Sequence, residues 1–361
     1  MSPRSRALSR ARRRGRGRVF RKMRPGGLAR LALVVVALGL MWAALACFGP
    51  GPKARHGQAT TVILTRGATL GDIADALDRA RVVTSPTLFM VAAKVTGASR
   101  SLKAGEYLIP SHEPMWRILS DIHHGRFVRH VVTVPEGFTS QMVADALSAE
   151  PLLIGPAVAP PEGAILPDTY EIQRGETRAE VLRQMEEAQT KLLNQLWADR
   201  APGLPYKTPQ EAVTLASIVE KETAVPAERP RIAAVFLNRL ARGMKLESDP
   251  TIIYGLTQGR PLGRPILASE VAKATPYNTY VITGLPPTPI ANPGKASLEA
   301  AFNPPKTTEL FFVADGTGGH VFASTFEAHQ ANVAKWRQIE AQQEAQAKAQ
   351  AQVQAPVAGV R

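Results

Sequence analysis

The 361-residue chain carries a formal net charge of +14, with 45% hydrophobic and 20% charged residues, a balance that excludes a disordered chain and leaves room for roughly two domains. Twelve of the 44 Lys and Arg, and none of the 30 Asp and Glu, fall in residues 1–30, so the remainder holds 32 basic and 30 acidic side chains. That near-neutral body excludes a nucleic-acid-binding domain, which would carry its basic residues as a patch on the fold.

The first predicted element is the uncharged run Leu31–Phe48, 18 residues bounded by Arg30 and by Gly49-Pro50-Gly51-Pro52. It sits at the lower length limit for a transmembrane helix. Basic residues precede it and few follow, which orients residues 1–30 as a cytoplasmic arm and everything from residue 53 outward. The expected topology is single-pass, with the body on the far side of the membrane from the arm. A cleaved signal peptide is the alternative, since Ala44-Leu45-Ala46 has the form of a processing site. Lipoprotein processing at Cys47 is a third, poorly matched by Ala44 where a leucine is usual. Met23 is an alternative start that would shorten the arm. Cys47 is the only cysteine, which excludes an intrachain disulfide and a cysteine metal cluster. No metal or cofactor is expected.

An internal repeat comes next. Thr61-Val62-Ile63-Leu64, Gly67-Ala68-Thr69 and Ile73-Ala74-Asp75-Ala76-Leu77 recur 70 residues later as Val131-Val132-Thr133-Val134, Gly137-Phe138-Thr139 and Val143-Ala144-Asp145-Ala146-Leu147. Each copy reads as strand, Gly turn, Thr N-cap and amphipathic helix. Between them a helix near Thr87–Val95 and a strand near Gly105–Ile109 are expected. The resulting strand-helix-helix-strand layout of residues 60–110 resembles LysM glycan-binding modules; a plain spacer is the alternative. The duplicated region is placed at 58–150. Residues 151–163, rich in Pro, Gly and Ala, read as a linker. A mixed α/β catalytic domain over 160–340 is expected to open with a helix at Thr177–Trp197. It closes with a hairpin, Leu310–Val313 and Val321–Ala323 around Asp315-Gly316-Thr317-Gly318-Gly319, and a helix at Phe326–Ile339. The Gln/Ala-rich tail within 341–361 is expected to be disordered or a frayed helical extension. The fold class is therefore α+β.

The segment from Thr208 to Thr223 is the most informative. Thr208 and Glu211 have capping-box spacing, with Pro209 at the first helical position. At about 100° per residue, Ala212, Leu215, Ala216 and Val219 form an inward stripe with Lys221 opposite and Glu220 and Glu222 on its flanks. Glu222 lies beside Leu215, Ile218 and Val219, and a carboxyl among bulky apolar groups is expected to hold its proton to higher pH, as a general acid for glycosidic cleavage requires. Taken alone, Glu-Lys-Glu at a helix end also reads as a solvated face.

The motifs Ala216-Ser217-Ile218-Val219-Glu220-Lys221-Glu222-Thr223, Phe236-Leu237-Asn238-Arg239-Leu240 and Ser248-Asp249-Pro250-Thr251-Ile252-Ile253-Tyr254-Gly255 together resemble the YceG/MltG family of endolytic murein transglycosylases. Pro167-Asp168-Thr169-Tyr170, Tyr277-Asn278-Thr279-Tyr280, Gly284-Leu285-Pro286-Pro287 and Phe312-Val313-Ala314-Asp315-Gly316 extend the resemblance over about residues 60–340. The resemblance implies a lyase that cuts the bond between N-acetylmuramic acid and N-acetylglucosamine of nascent peptidoglycan, leaving 1,6-anhydro ends. Its second Glu-Lys-Glu glutamate is catalytic, which falls on Glu222. Peptidoglycan strands and the membrane are the implied partners, with peptidoglycan synthases and division proteins beside them. The long basic arm and the Gln/Ala tail depart from the family pattern. Asn238, Asp249, Tyr254, Asn278 and Tyr280 are candidates for lining a glycan cleft, each with ordinary packing as its alternative. Asp249 and Glu247 are the candidate second acids for a hydrolytic muramidase. A non-enzymatic glycan-binding scaffold is the competing function.

Overall fold

A computed structural model describes residues 25–54 and 57–354; most of the basic arm, Met23 and residues 355–361 lie outside them. The described residues form a mixed α+β fold of helices and two-stranded sheets. Two compact units divide between Phe127 and Val128.

The first unit opens with helix α1, Pro25–Phe48. Its stretch Ala29–Phe48 is 20 residues long, apolar and uncovered by the rest of the chain. At 1.5 Å per residue that is about 30 Å, the thickness of a bilayer core; a signal sequence has the same signature. Strand β1, Ala59–Leu64, then leads through helices α2, Leu70–Arg79, and α3, Pro86–Val95, to strand β2, Gly105–Pro110. β1 and β2 pair antiparallel, with Val62 opposite Tyr107. Helix α4, Met115–His124, completes the unit. Alternation along the strands turns Val62, Leu64, Tyr107 and Ile109 inward against Leu77, Phe89 and Ile122, while Ile63 and Leu108 stay outside.

The second unit begins with β3, His130–Thr133, and α5, Ser140–Ala149. The two repeat copies share their local geometry. Gly67 and Gly137 both take left-handed backbone, φ +78° and +76°, which favours glycine. Thr69 and Thr139 both cap the following helix from a side-chain oxygen. The boundary between the units nevertheless falls inside the region placed at 58–150. The second copy finds its strand partner in β4, Thr169–Ile172, and so packs within the second unit. The stretch 151–163 is free of helix and strand, as a linker should be, but Leu153 is buried and Ile154 bridges to Thr177.

Helices α6, Arg178–Ala198, α7, Pro209–Glu222, α8, Arg229–Ala241, α9, Asp249–Thr257, α10, Ala268–Val271, and α11, Lys295–Phe302, build the rest. Strands β5, Phe311–Ala314, and β6, His320–Ala323, form the expected hairpin. Helix α12, Phe326–Gln354, runs on through the Gln/Ala stretch as a helical extension. α7 is a core helix: every residue from Ala212 to Val219 is buried, where the apolar stripe alone would bury one side. Leu215 and Ile218 pack with Phe236 of α8 and Leu298 of α11, each such side chain contributing about 1.5–3 kcal/mol. The one polar side chain wholly inside, Ser217, is satisfied by donating to the Thr214 carbonyl and accepting from the Ile290 amide. The N-terminal cap differs in one detail. Thr208 accepts from the Glu211 amide, but the Glu211 carboxylate reaches back to the Lys207 amide, one residue beyond the capping-box position.

Candidate active site

α7 ends in two glutamates with opposite surroundings. Glu220 turns inward, its side chain 5% exposed, and pairs with Arg229 at 3.0 Å; Arg229 also holds Glu136 at 3.0 Å. The second Glu220 oxygen accepts from the Gly294 amide. Each of its carboxylate oxygens is therefore engaged in holding α7, α8 and the loop before α11 together.

Glu222, two residues on, meets no cation at contact distance among the described residues. It keeps part of its surface open, yet its carboxyl is crowded by protein, and that crowding governs its solvation. Burial pushes it up to about 7; the Asp249 carboxylate adds to the rise, and the Ser248 hydrogen bond with the more distant charges of His320 and Arg239 opposes it. Near neutral pH the group is thus divided between its acid and base forms, as a side chain that must both give and take a proton requires.

Ser248 occupies the N-cap of α9, where a serine oxygen ordinarily accepts from the helix backbone. Here it makes no such bond. Its hydroxyl donates instead to Glu222 Oε2 at 2.9 Å, and its own amide donates to Thr279 Oγ1 at 2.9 Å. Glu247 just before it takes left-handed backbone, φ +54°, an uncommon conformation for a residue with a side chain that is held by Arg239, whose guanidinium bonds the Glu247 carboxylate and the carbonyls of Lys245, Leu246 and Leu310. Behind Glu222, Glu228 binds Thr223, the His320 amide and the His320 ring. Against the upward push of burial, those His320 donors hold the Glu228 carboxyl below its usual range.

The expected cleft residues divide into two groups. Asp249 and Tyr280 are brought to Glu222: the exposed Asp249 accepts from the Tyr280 hydroxyl at 2.7 Å, the Asp249 charge acts on Glu222, and the Glu222 charge acts on Tyr280. Burial and the Asp249 bond push the Tyr280 phenol up, so it remains a donor. The other three are engaged elsewhere. Asn238 donates to the Thr307 and Glu309 carbonyls. Asn278 is buried, donates to three carbonyls from Glu270 to Lys273, and accepts from the Tyr280 amide. Tyr254 is buried against Tyr277 and donates to Glu162. Asn238 fixes the approach to β5, Asn278 sets the position of Tyr280, and Tyr254 joins α9 to the stretch before β4. Ser248 is bonded to Glu222 and was not among the expected residues; its place beside Asp249-Pro250 reads as a helix cap. The loop Gly284-Leu285-Pro286-Pro287 contributes to a concavity of about 700 Å³ that Glu162, Tyr206 and Gln210 also line. That space is lined by Gln210, Glu211 and Thr214 toward the N-terminal end of α7, and Glu222 at the C-terminal end of the helix is not among its lining residues. Among the described residues no cluster suited to a metal ion occurs.

Residues 62–335 match the model of the YceG-like family. Endolytic murein transglycosylases of two Streptococcus pneumoniae strains are each 32% identical over 325 residues, covering 76% of this chain and 58% of theirs. The endolytic murein transglycosylase of Bacillus subtilis is 36% identical over 183 residues, 51% of this chain and 49% of its own. The chain thus spans about half to three-fifths of the length of these relatives. A crystal structure of a yceG-like protein from Listeria monocytogenes, 27% identical, covers 76% of this chain and 99% of its own with a TM-score of 0.46.

Proposed function

The chain belongs to the YceG-like family, and from that premise we propose that it is an endolytic peptidoglycan lytic transglycosylase with Glu222 as its single acid and base. The observation that carries the reading is the state of Glu222: a carboxyl at a helix end, partly open, poised near pH 7 and held from one side by Ser248.

In the reaction, protonated Glu222 donates to the oxygen joining N-acetylmuramic acid to N-acetylglucosamine as the bond from the muramic C1 to that oxygen breaks. The N-acetylglucosamine side leaves with the proton. Glu222, now a carboxylate stabilised by the Ser248 hydroxyl, accepts the proton of the muramic C6 hydroxyl as that oxygen closes on C1. A 1,6-anhydro ring results, no water is consumed, and Glu222 ends protonated. One carboxyl suffices for both steps, whereas a glycosidase that adds water normally uses two. Asp249 raises the proton affinity of Glu222, and with Tyr280 it offers an acceptor and a donor to the sugar beside the scissile bond. The β1-α2-α3-β2 layout of the first unit serves as a LysM-like glycan contact. α1 anchors the chain in the bacterial inner membrane with both units on the periplasmic side, close to new strands and to the enzymes that make them.

Mass spectrometry of purified peptidoglycan digested by the protein tests the reading. Fragments with anhydro ends are expected. Fragments heavier by one water would make the protein a hydrolytic muramidase, and intact strands would make it a scaffold.

A further inference from the structure

α1 leaves no slack before the first unit. Its last turn closes with the Gly49 amide on the Leu45 carbonyl, and the chain then runs straight onto the segment after β2. The Gly51 amide donates to His112 O at 3.1 Å, the His112 amide to Pro52 O at 3.0 Å, and the Ala54 amide to Ser111 Oγ at 3.0 Å. Gly51 passes so close to Glu113 that a Cβ would lie 2.1 Å from its carbonyl oxygen. Cys47 packs on the apolar core of the unit. The end of α1 and the α3–α4 face therefore belong to one body.

α3 and α4 expose large apolar side chains beside that junction. Val91 and Val95, one turn apart on α3, are 50% and 81% exposed, and Trp116 on α4 is 46% exposed. Lys94 lies exposed between the two valines. A cavity of about 360 Å³ opens between the end of α1, α3 and α4; Cys47, Phe48, Met115, Trp116 and Leu119 form its apolar wall, and Thr96, Ser120, His123 and His124 its polar edge. An exposed Trp at the rim of a cavity that adjoins the end of an apolar helix has the composition of the membrane interface.

We propose that the α3–α4 face is a membrane-contact surface. Val91, Val95 and Trp116 enter the interfacial layer of the leaflet from which α1 emerges, and an acyl chain of a bilayer phospholipid fills the cavity at the end of α1. This rests on the reading of α1 as a spanning anchor. It gives the first unit a fixed orientation on the bilayer, where a flexible tether would give none.

The test uses the full chain in nanodiscs of phosphatidylethanolamine and phosphatidylglycerol, with Cys47→Ala as the background. Single cysteines replacing Val36, Val91, Val95 and Leu108 carry an environment-sensitive fluorophore, and the discs contain lipids with nitroxides near the headgroup or at the chain end. Positions 91 and 95 are expected to be blue-shifted and quenched several-fold more by headgroup-proximal nitroxides than position 108, which lies on the outer face of the sheet. Position 36 should be quenched by the deep nitroxides. Fluorescence at 91 and 95 indistinguishable from 108, with 36 embedded, would overturn the proposal and leave the anchor intact. An unquenched position 36 would overturn the anchor, and the proposal with it.

Discussion

At the residue scale the account turns on one proton. The basic limb of kcat/KM reports the free enzyme's essential acid, so activity is expected to fall as pH rises through about 7. Its neighbours act on that limb in opposite senses. Ser248→Ala removes a donor that favours the carboxylate, so the limb moves to higher pH. The same change lowers kcat roughly tenfold or more, the usual value of a hydrogen bond to a charged group. Asp249→Asn removes a repelling charge and moves the limb to lower pH. A pH-rate series on the two variants checks both signs; shifts in the same direction would contradict the assignment. Linkage gives an independent reading of Glu222. Its proton is held more tightly in the folded state than in the unfolded one, so its contribution to stability is full below about pH 4 and lost as pH rises through about 7. Glu222→Gln, which cannot ionise, should therefore match the wild type in stability near pH 4 and exceed it at pH 8, by on the order of 3 kcal/mol. The place of Glu222 at the end of α7 was legible because its motif is local. Ser248 was not, because a serine before Asp-Pro reads as a cap, and only the missing cap bond turns its hydroxyl toward a residue 26 positions away.

At the scale of elements, the division of labour between Glu220 and Glu222 arises from the turn of α7. Helical periodicity put both on the flanks of an apolar stripe; packing of α8 and α11 on α7 decided which one became an ion-pair hub. Arg229→Ala leaves Glu136 and the buried Glu220 without their cation, and removing one partner of such a pair costs about 3 kcal/mol. Denaturant unfolding should register that loss, while turnover per folded molecule changes little. An equal loss of turnover in a fully folded variant would place Arg229 in the chemistry. Asn238 and Asn278 show the limit of reading amides as sugar ligands. Each sits in a recognisable motif, but Asn238 satisfies carbonyls of the approach to β5 about 70 residues away, and Asn278 those at the end of α10. The elements themselves were largely legible. Thr69, Thr139 and Thr208 cap where expected, and Asp315 with its glycines makes the expected turn. The allegiance of the second repeat copy was not, since it depends on β3 meeting β4 across 36 residues or more.

At the scale of the whole molecule, the bonds between residues 51–54 and 111–112 make the end of α1 part of the first unit. With α1 spanning the membrane, as proposed above, anchoring would fix the height of that unit and hold the proposed transglycosylase at high local concentration beside emerging strands. A truncated form beginning at residue 58, exported at equal abundance, is expected to cut purified peptidoglycan but to shorten new strands in cells less than the full chain. Glycan-length profiles of labelled new wall check this; equal shortening by both forms would reduce residues 1–57 to a targeting device.

The most direct measurement is product analysis of peptidoglycan treated with Glu222→Gln beside the wild type and Glu220→Gln. The account predicts anhydro-ended fragments from the wild type and from the folded fraction of Glu220→Gln, and none from Glu222→Gln although it melts no lower than the wild type. Anhydro products from Glu222→Gln at near-normal rates, or their loss in Glu220→Gln alone, would contradict it.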